Sequence, residues 1–89
     1  MNLESLRQEI DSVDEKLVEL LEKRMSLISQ IVDYKRNSQK AVLDLDREQE
    51  VLRSVSKKIS NPDFESTIIA IFSNIMKLSR DYQNSKGLD

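Results

Sequence analysis

Two cationic side chains, Arg24 and Lys35, stand on a line of residues that is otherwise apolar. Steps of three and four along a helix return to one face, so Arg24, Ile28, Ile31 and Lys35 share that face. Upstream, the same line is purely apolar and consists of Leu3, Leu6, Ile10, Val13, Leu17 and Leu20. Snorkelling, in which the stem packs and the charge reaches water, would account for either cation taken alone.

Polar residues also interrupt the apolar faces of two later segments. Glu48 lies on an apolar stripe, with Asp44 one turn before it and Arg47 beside it, while Ser79 and Gln83 are four residues apart and stack on one helix face. Each has a simple explanation: Asp44 caps a helix, Glu48 pairs with one of the two upstream cations, and Ser79 and Gln83 form the polar end of a helix.

Taken together, these residues predict a binding pocket inside a helical bundle. Burying charged and polar side chains on three helices costs folding free energy if their role is only structural, but such side chains suit the lining of a ligand pocket. Arg24 and Lys35 are about 16 Å apart along the axis, and both are long enough to bend toward a molecule between them. Such a pocket offers cations, acidic oxygens and an amide donor, so we expect a small polar dianion that carries a hydroxyl group.

Composition excludes several other kinds of chemistry. The 89 residues include no His and no Cys, which rules out Ser-His-Asp triads, thiolate nucleophiles and His-based metal sites. Composition leaves an all-carboxylate Mg²⁺ or Ca²⁺ site open, but the sequence has no EF-hand-like loop, and we predict no metal site. The net charge is −2, whereas binders of nucleic acid or anionic membranes are normally basic, so we expect neither partner. No stretch is long enough to span a membrane, and no signal peptide is visible. With no cysteines, cytoplasmic residence is the expectation.

The pattern predicts one all-α domain, residues 1–89, with three helices at about 3–36, 44–60 and 62–84. One Gly and one Pro in the whole chain argue against a β-rich fold. Asn2 can cap the first helix, and Asn37-Ser38-Gln39 predicts the loop after it. Asn61 can cap the third helix, and Pro62 suits its first turn.

The unequal helix lengths predict an intertwined homodimer. The first helix would be about 50 Å long, and the two shorter helices cannot cover its apolar stripe in a compact monomer. Leaving that stripe in water costs roughly 25 cal/mol per Å². A second copy solves the problem if the two long helices pair and the short helices of both chains pack around them.

Four blocks of sequence resemble the all-helical chorismate mutases of the AroQ type. They are LRQEID…VDEKLVELLEKR at Leu6–Arg24, the Tyr34-Lys35 helix end, DLDREQE at Asp44–Glu50, and SRDYQ at Ser79–Gln83. They occur in the family's order and spacing over nearly the whole chain. One departure is Ala41, where many relatives carry proline, which affects the preceding loop and no functional residue.

The resemblance implies a three-helix protomer in an intertwined homodimer with two active sites. It implies the Claisen rearrangement of chorismate, a small dicarboxylate, to prephenate in the biosynthesis of phenylalanine and tyrosine. A [3,3] rearrangement moves electrons in a ring, so no nucleophile, proton relay, metal or cofactor is implied. The absence of a second enzyme domain implies the small form with a single activity.

The resemblance also implies a role for each site residue. Arg24 binds a substrate carboxylate, Arg7 does likewise from the neighbouring chain, and Lys35 and Gln83 hydrogen-bond the ether oxygen. The remaining expected contacts involve the ring hydroxyl and the pocket edge: Asp44 and Glu48 meet the hydroxyl, Ser79 contacts a carboxylate, and Arg47 borders the pocket. Arg7 lies one step off the apolar line, so its residue type and position alone predict a solvated surface arginine.

Two other functions fit parts of the sequence. Isochorismate-pyruvate lyases resemble the same family and also need a cationic pocket, although the acidic pair Asp44 and Glu48 favours the hydroxyl of chorismate. A non-catalytic helical dimerisation module would account for the long apolar stripes. It predicts that alanine is tolerated without loss of function at Arg24, Lys35, Glu48 and Gln83.

Overall fold

Three α-helices and one short 3₁₀ turn make up the protein. The computed structural model describes residues 2–38 and 41–87, without the side chain of Ser38. Helix α1 spans Leu3–Ser38 and helix α2 spans Leu45–Lys58; a 3₁₀ turn at Pro62–Phe64 leads into helix α3, Glu65–Ser85. No strand occurs in these residues, so the predicted all-helical chain with one long and two shorter helices is confirmed.

Helices α1 and α2 begin where a side chain satisfies one of their first N–H groups. Asn2 Oδ1 accepts a hydrogen bond of 2.8 Å from the Ser5 amide, and Asp44 Oδ1 accepts one of 3.0 Å from the Arg47 amide. Asn61 caps the 3₁₀ turn in the same way, with Pro62 directly after it. The prediction that Asn61 caps the third helix is therefore wrong, because α3 begins only at Glu65, after Phe64, which makes no side-chain capping hydrogen bond. The end of α1 differs from the prediction, since the helix continues to Ser38. Of the predicted loop, Asn37 and Ser38 are helical, and position 39 lies outside the described residues.

Helix α3 holds the chain together because it packs against both other helices. The buried apolar residues of the described part are Val32 on α1, Val42 before α2, and Met76 on α3. Two polar residues of α3, Ser79 and Gln83, are buried beside them. The small core therefore lies at the C-terminal end of α1, where all three helices come together.

The N-terminal two thirds of α1 extend away from this core. Every residue from 6 to 23 is exposed, including apolar side chains such as Ile10 at 56% and Leu20 at 63%. With 36 residues α1 is about 54 Å long, whereas α2 and α3 have 14 and 21 residues. Within the described helices, none is both long and apolar enough to cross a membrane.

Candidate active site

A cavity of about 300 Å³ lies where α1, α2 and α3 meet. Its apolar lining comes from all three helices and the segment before α2, and consists of Ile28, Ile31, Val42, Val51 and Met76. Its polar lining consists of Arg24, Lys35, Asp44, Arg47, Glu48, Ser79, Arg80 and Gln83. An apolar pocket with a few converging polar groups, at the small end of the range for ligand sites, suits a small polar molecule.

Helix α1 brings two half-buried cations to the cavity. Arg24 Nη1 donates a hydrogen bond of 2.7 Å to Ser79 Oγ on α3. Lys35 Nζ donates to the carbonyl oxygen of Val42 at 3.0 Å and to Gln83 Oε1 at 3.1 Å. Both charged ends are thus held by polar groups of the bundle, which differs from the snorkelling that either residue alone would suggest.

Helix α3 supplies the two buried polar side chains that hold these cations. Ser79 is 4% exposed, and its hydroxyl donates to the Ile75 carbonyl at 2.8 Å while accepting from Arg24. Gln83 is 5% exposed, and its amide oxygen faces the Lys35 ammonium. Because that oxygen is turned toward Lys35, the NH₂ group of Gln83 is the part of the amide that can donate to a ligand.

Helix α2 contributes acidic groups at its N-terminal end. Asp44 caps the helix through one carboxylate oxygen and also lines the cavity, so its capping role and its predicted pocket position coexist. Arg47 borders the cavity and forms an exposed ion pair with Glu50 one turn later. The first turn of α2 therefore fixes where both Asp44 and Arg47 enter the site.

Glu48 is paired with Arg80, a partner that the sequence argument missed. That argument gave Glu48 to Arg24 or Lys35, which is wrong because α3 and the segment before α2 already hold those cations. Arg80 Nη1 instead donates to Glu48 Oε1 across the cavity. A signal was present: Arg80 lies three residues before Gln83, a spacing that puts both on neighbouring parts of one helix surface.

The cavity concentrates positive charge in a chain whose net charge is −2. Among the described residues that line it, four are cationic, Arg24, Lys35, Arg47 and Arg80, and two are acidic. The formal excess of two positive charges matches a ligand with two carboxylates. A few local cations thus create an anion site that net charge alone would not indicate.

A family model described as chorismate mutase type II matches residues 6–84. The chain belongs to the chorismate mutase type II family. The matched region includes nearly all of the three helices and every residue that lines the cavity. A comparison with curated proteins finds no match. Membership supports chorismate mutase activity at the level of the family.

Seven of the eight site residues expected from the resemblance to chorismate mutases line this one cavity; the eighth, Arg7, does not. The seven are Arg24, Lys35, Asp44, Arg47, Glu48, Ser79 and Gln83. Arg7 is exposed near the beginning of α1, in the part of the helix that extends away from the core. Its expected contact with substrate therefore needs a second chain, and the roles of all eight toward a ligand stay predictions.

Proposed function

We propose that this protein is a chorismate mutase that converts chorismate to prephenate, a step toward phenylalanine and tyrosine. The observation that carries the proposal is the contact between the Lys35 ammonium and the Gln83 amide, 3.1 Å apart, in a cavity with two excess positive charges. This pair can place two N–H donors on one oxygen of a bound dianion. Family membership supports the same activity.

Lys35 and Gln83 act on the ether oxygen of the substrate. In the rearrangement the C–O bond lengthens ahead of C–C bond formation, and negative charge grows on that oxygen. An ammonium has three N–H donors, and in the described residues Lys35 uses two of them on Val42 and Gln83. The third can reach the ether oxygen beside the Gln83 NH₂ group. One fixed donor of this kind is typically worth about 3–4 kcal/mol in the transition state.

Arg24 fixes the conformation in which the substrate reacts. Chorismate is flexible, and only a compact, chair-like conformer brings the two reacting carbons together. Arg24, held by Ser79 at 2.7 Å, binds one carboxylate, and Ser79 contacts the same group. Anchoring the substrate in this way removes much of the entropic barrier to an intramolecular reaction.

The acidic residues of α2 accept a hydrogen bond from the ring hydroxyl. Asp44 and Glu48 both line the cavity, and each carboxylate has oxygen lone pairs beyond those used by the Arg47 amide and by Arg80. A hydroxyl donor on the substrate makes such a contact favourable, whereas a third carboxylate there would be repelled. The acidic pair therefore sets which face of the ring enters the site.

The working form that we propose is an intertwined homodimer in which Arg7 of each chain completes the site of the other. The support is the exposed apolar line on α1, where Val13 is 56% and Leu17 is 48% exposed. Burying such surface gains roughly 25 cal/mol per Å², which favours the pairing of two long helices. Arg7 is on this unpartnered part of α1 and would add a fourth arginine to the site, beside Arg24, Arg47 and Arg80.

The activity is tested by adding purified protein to chorismate and following the loss of its absorbance, with prephenate identified as the product. We expect enzyme-dependent loss of chorismate without release of pyruvate. A parallel incubation with isochorismate tests the related lyase. Pyruvate from isochorismate together with no prephenate from chorismate would replace the proposed activity by that of a lyase.

A further inference from the structure

Arg80 forms an ion pair that lines the cavity and joins two helices. It lies on α3, its partner Glu48 lies on α2, and their side chains are only 27% and 21% exposed. Both residues line the cavity. The two other ion pairs of the described residues, Arg47–Glu50 and Lys77–Asp81, join neighbours on one helix and are more than half exposed. Arg80–Glu48 is thus the pair with the strongest electrostatic effect on a ligand.

Glu48 without its partner would oppose the binding of a dianion. A carboxylate in a partly buried pocket repels a second negative charge much more strongly than it would in water. The other cations of the cavity are engaged elsewhere. Arg24 donates to Ser79, Lys35 donates to Val42 and Gln83, and Arg47 is paired with Glu50. Arg80 is therefore the residue placed to neutralise Glu48.

We infer that Arg80 is a positioning residue that acts through Glu48, an inference that rests on the proposed function. Its guanidinium binds Glu48 Oε1, so the charge of the carboxylate is compensated and its rotation is restricted. Oε2 can then accept the hydrogen bond from the ring hydroxyl. Arg80 lets the pocket keep an acidic group for the hydroxyl while it holds a substrate with two carboxylates.

A double-mutant cycle tests this role. Arg80→Gln, Glu48→Gln and the double variant are compared with the wild type by kcat and KM for chorismate, because glutamine keeps length and helix propensity while removing the charge. We expect Arg80→Gln to lower kcat/KM by about tenfold or more in the wild-type background, and by less than about twofold in the Glu48→Gln background. Much of the loss in kcat/KM should come from a higher KM, since an uncompensated Glu48 repels the substrate before and during the reaction.

Arg80→Lys provides the rescue, because it restores the charge without the planar fork. We expect it to recover at least half of the logarithmic loss in kcat/KM caused by Arg80→Gln. Circular dichroism checks the fold of each variant. If Arg80→Gln does not fold, Arg80→Lys replaces it in the double-mutant cycle. The smaller loss of kcat/KM that Arg80→Lys causes in the wild-type background must then disappear in the Glu48→Gln background.

The matched control is Lys77→Gln, which breaks an exposed ion pair with Asp81 on the same helix and should leave kcat/KM unchanged. Equal losses from Arg80→Gln in both backgrounds would mean that Arg80 binds substrate directly, and would overturn the inference while the proposed function stands. A wild type that turns over no chorismate would overturn the proposed function, and the role of Arg80 with it.

Discussion

At the scale of single residues, Arg24 and Lys35 show how a helix stripe built for burial can carry charge. The charged end of each side chain donates a hydrogen bond to a polar group of α3. Arg24 donates to Ser79 Oγ, and Lys35 donates to Gln83 Oε1. Those acceptors are nearly fully buried, and their partners satisfy them. The cost of burying polar groups is thereby limited, and the positive charges are fixed before a ligand arrives.

Arg24→Ala should raise KM and lower kcat together, because a side chain that binds a substrate carboxylate acts in the ground state and in the transition state. The loss of a hydrogen bond to a charged group is typically about 1.5–3 kcal/mol, so kcat/KM should fall by about 10- to 150-fold. Steady-state kinetics with chorismate measures both constants. Arg53→Ala, which removes an exposed arginine of α2 outside the cavity, is the control and should behave like the wild type. Unchanged kinetics of Arg24→Ala would remove this residue from the site.

At the scale of the helices, Asp44 has a structural and a functional role that two substitutions can separate. Asp44→Asn keeps a side-chain oxygen for the Arg47 amide, whereas Asp44→Ala removes the cap. We expect Asp44→Ala to lower the free energy of unfolding by about 1 kcal/mol, and Asp44→Asn to change it by only a few tenths. Both should lower kcat/KM if the carboxylate accepts from the ring hydroxyl.

Urea unfolding at equal chain concentration measures the stability of the two Asp44 variants, because the stability of a dimer depends on concentration. Asn61→Ala, which removes the cap of the 3₁₀ turn outside the cavity lining, is a matched control that should lower stability without lowering kcat/KM. A loss of stability in Asp44→Asn as large as that in Asp44→Ala would contradict the capping argument.

The beginnings of α1 and α2 could be predicted from sequence because caps are local, whereas α3 begins three residues later than predicted, after a 3₁₀ turn that Asn61 caps. Asn2, Asp44 and Asn61 each accept a hydrogen bond from a backbone N–H two or three residues later. A capping residue can therefore be recognised from its type and its position in the sequence. The partner of Glu48 could not be predicted in this way. Arg80 is 32 residues further along the chain, and choosing it over Arg24 or Lys35 requires knowing which cations are already engaged.

At the scale of the whole molecule, the chain is 53 Å long and only 24 and 15 Å across, with its core at one end. The cavity could be predicted because polar residues stood on apolar stripes of three helices, a pattern that only tertiary packing explains. Arg7 could not be placed from the residues alone, because it is exposed on α1 and its expected target belongs to another molecule. The family resemblance supplies that expectation.

Mixed dimers test the exchange of Arg7. Arg7→Ala and Lys35→Ala should each be nearly inactive alone. A heterodimer of the two would contain one intact site, since the chain that keeps Lys35 receives Arg7 from its partner. Unfolding and refolding an equimolar mixture should restore about a quarter of the wild-type activity, because half of the dimers are mixed and half of their sites are intact.

The control for this experiment mixes Lys35→Ala with Gln83→Ala, two changes on the same side of the interface. No heterodimer of that pair contains an intact site, so activity should not return. Sedimentation of the wild type checks the assembly directly. A folded species of 10.3 kDa, the mass of one chain, would contradict the homodimer. Equal activity of the two mixtures would contradict the exchange of Arg7 between the chains.

The central claim is that the Lys35 ammonium stabilises charge on a substrate oxygen inside this cavity, and one comparison tests it most directly. The turnover of chorismate is measured for the wild type and for Lys35→Ala, with the fold of both checked by circular dichroism. We predict that Lys35→Ala lowers kcat by at least about 10²–10³ while the protein stays folded. A folded Lys35→Ala variant that turns over chorismate at nearly the wild-type rate would contradict the account.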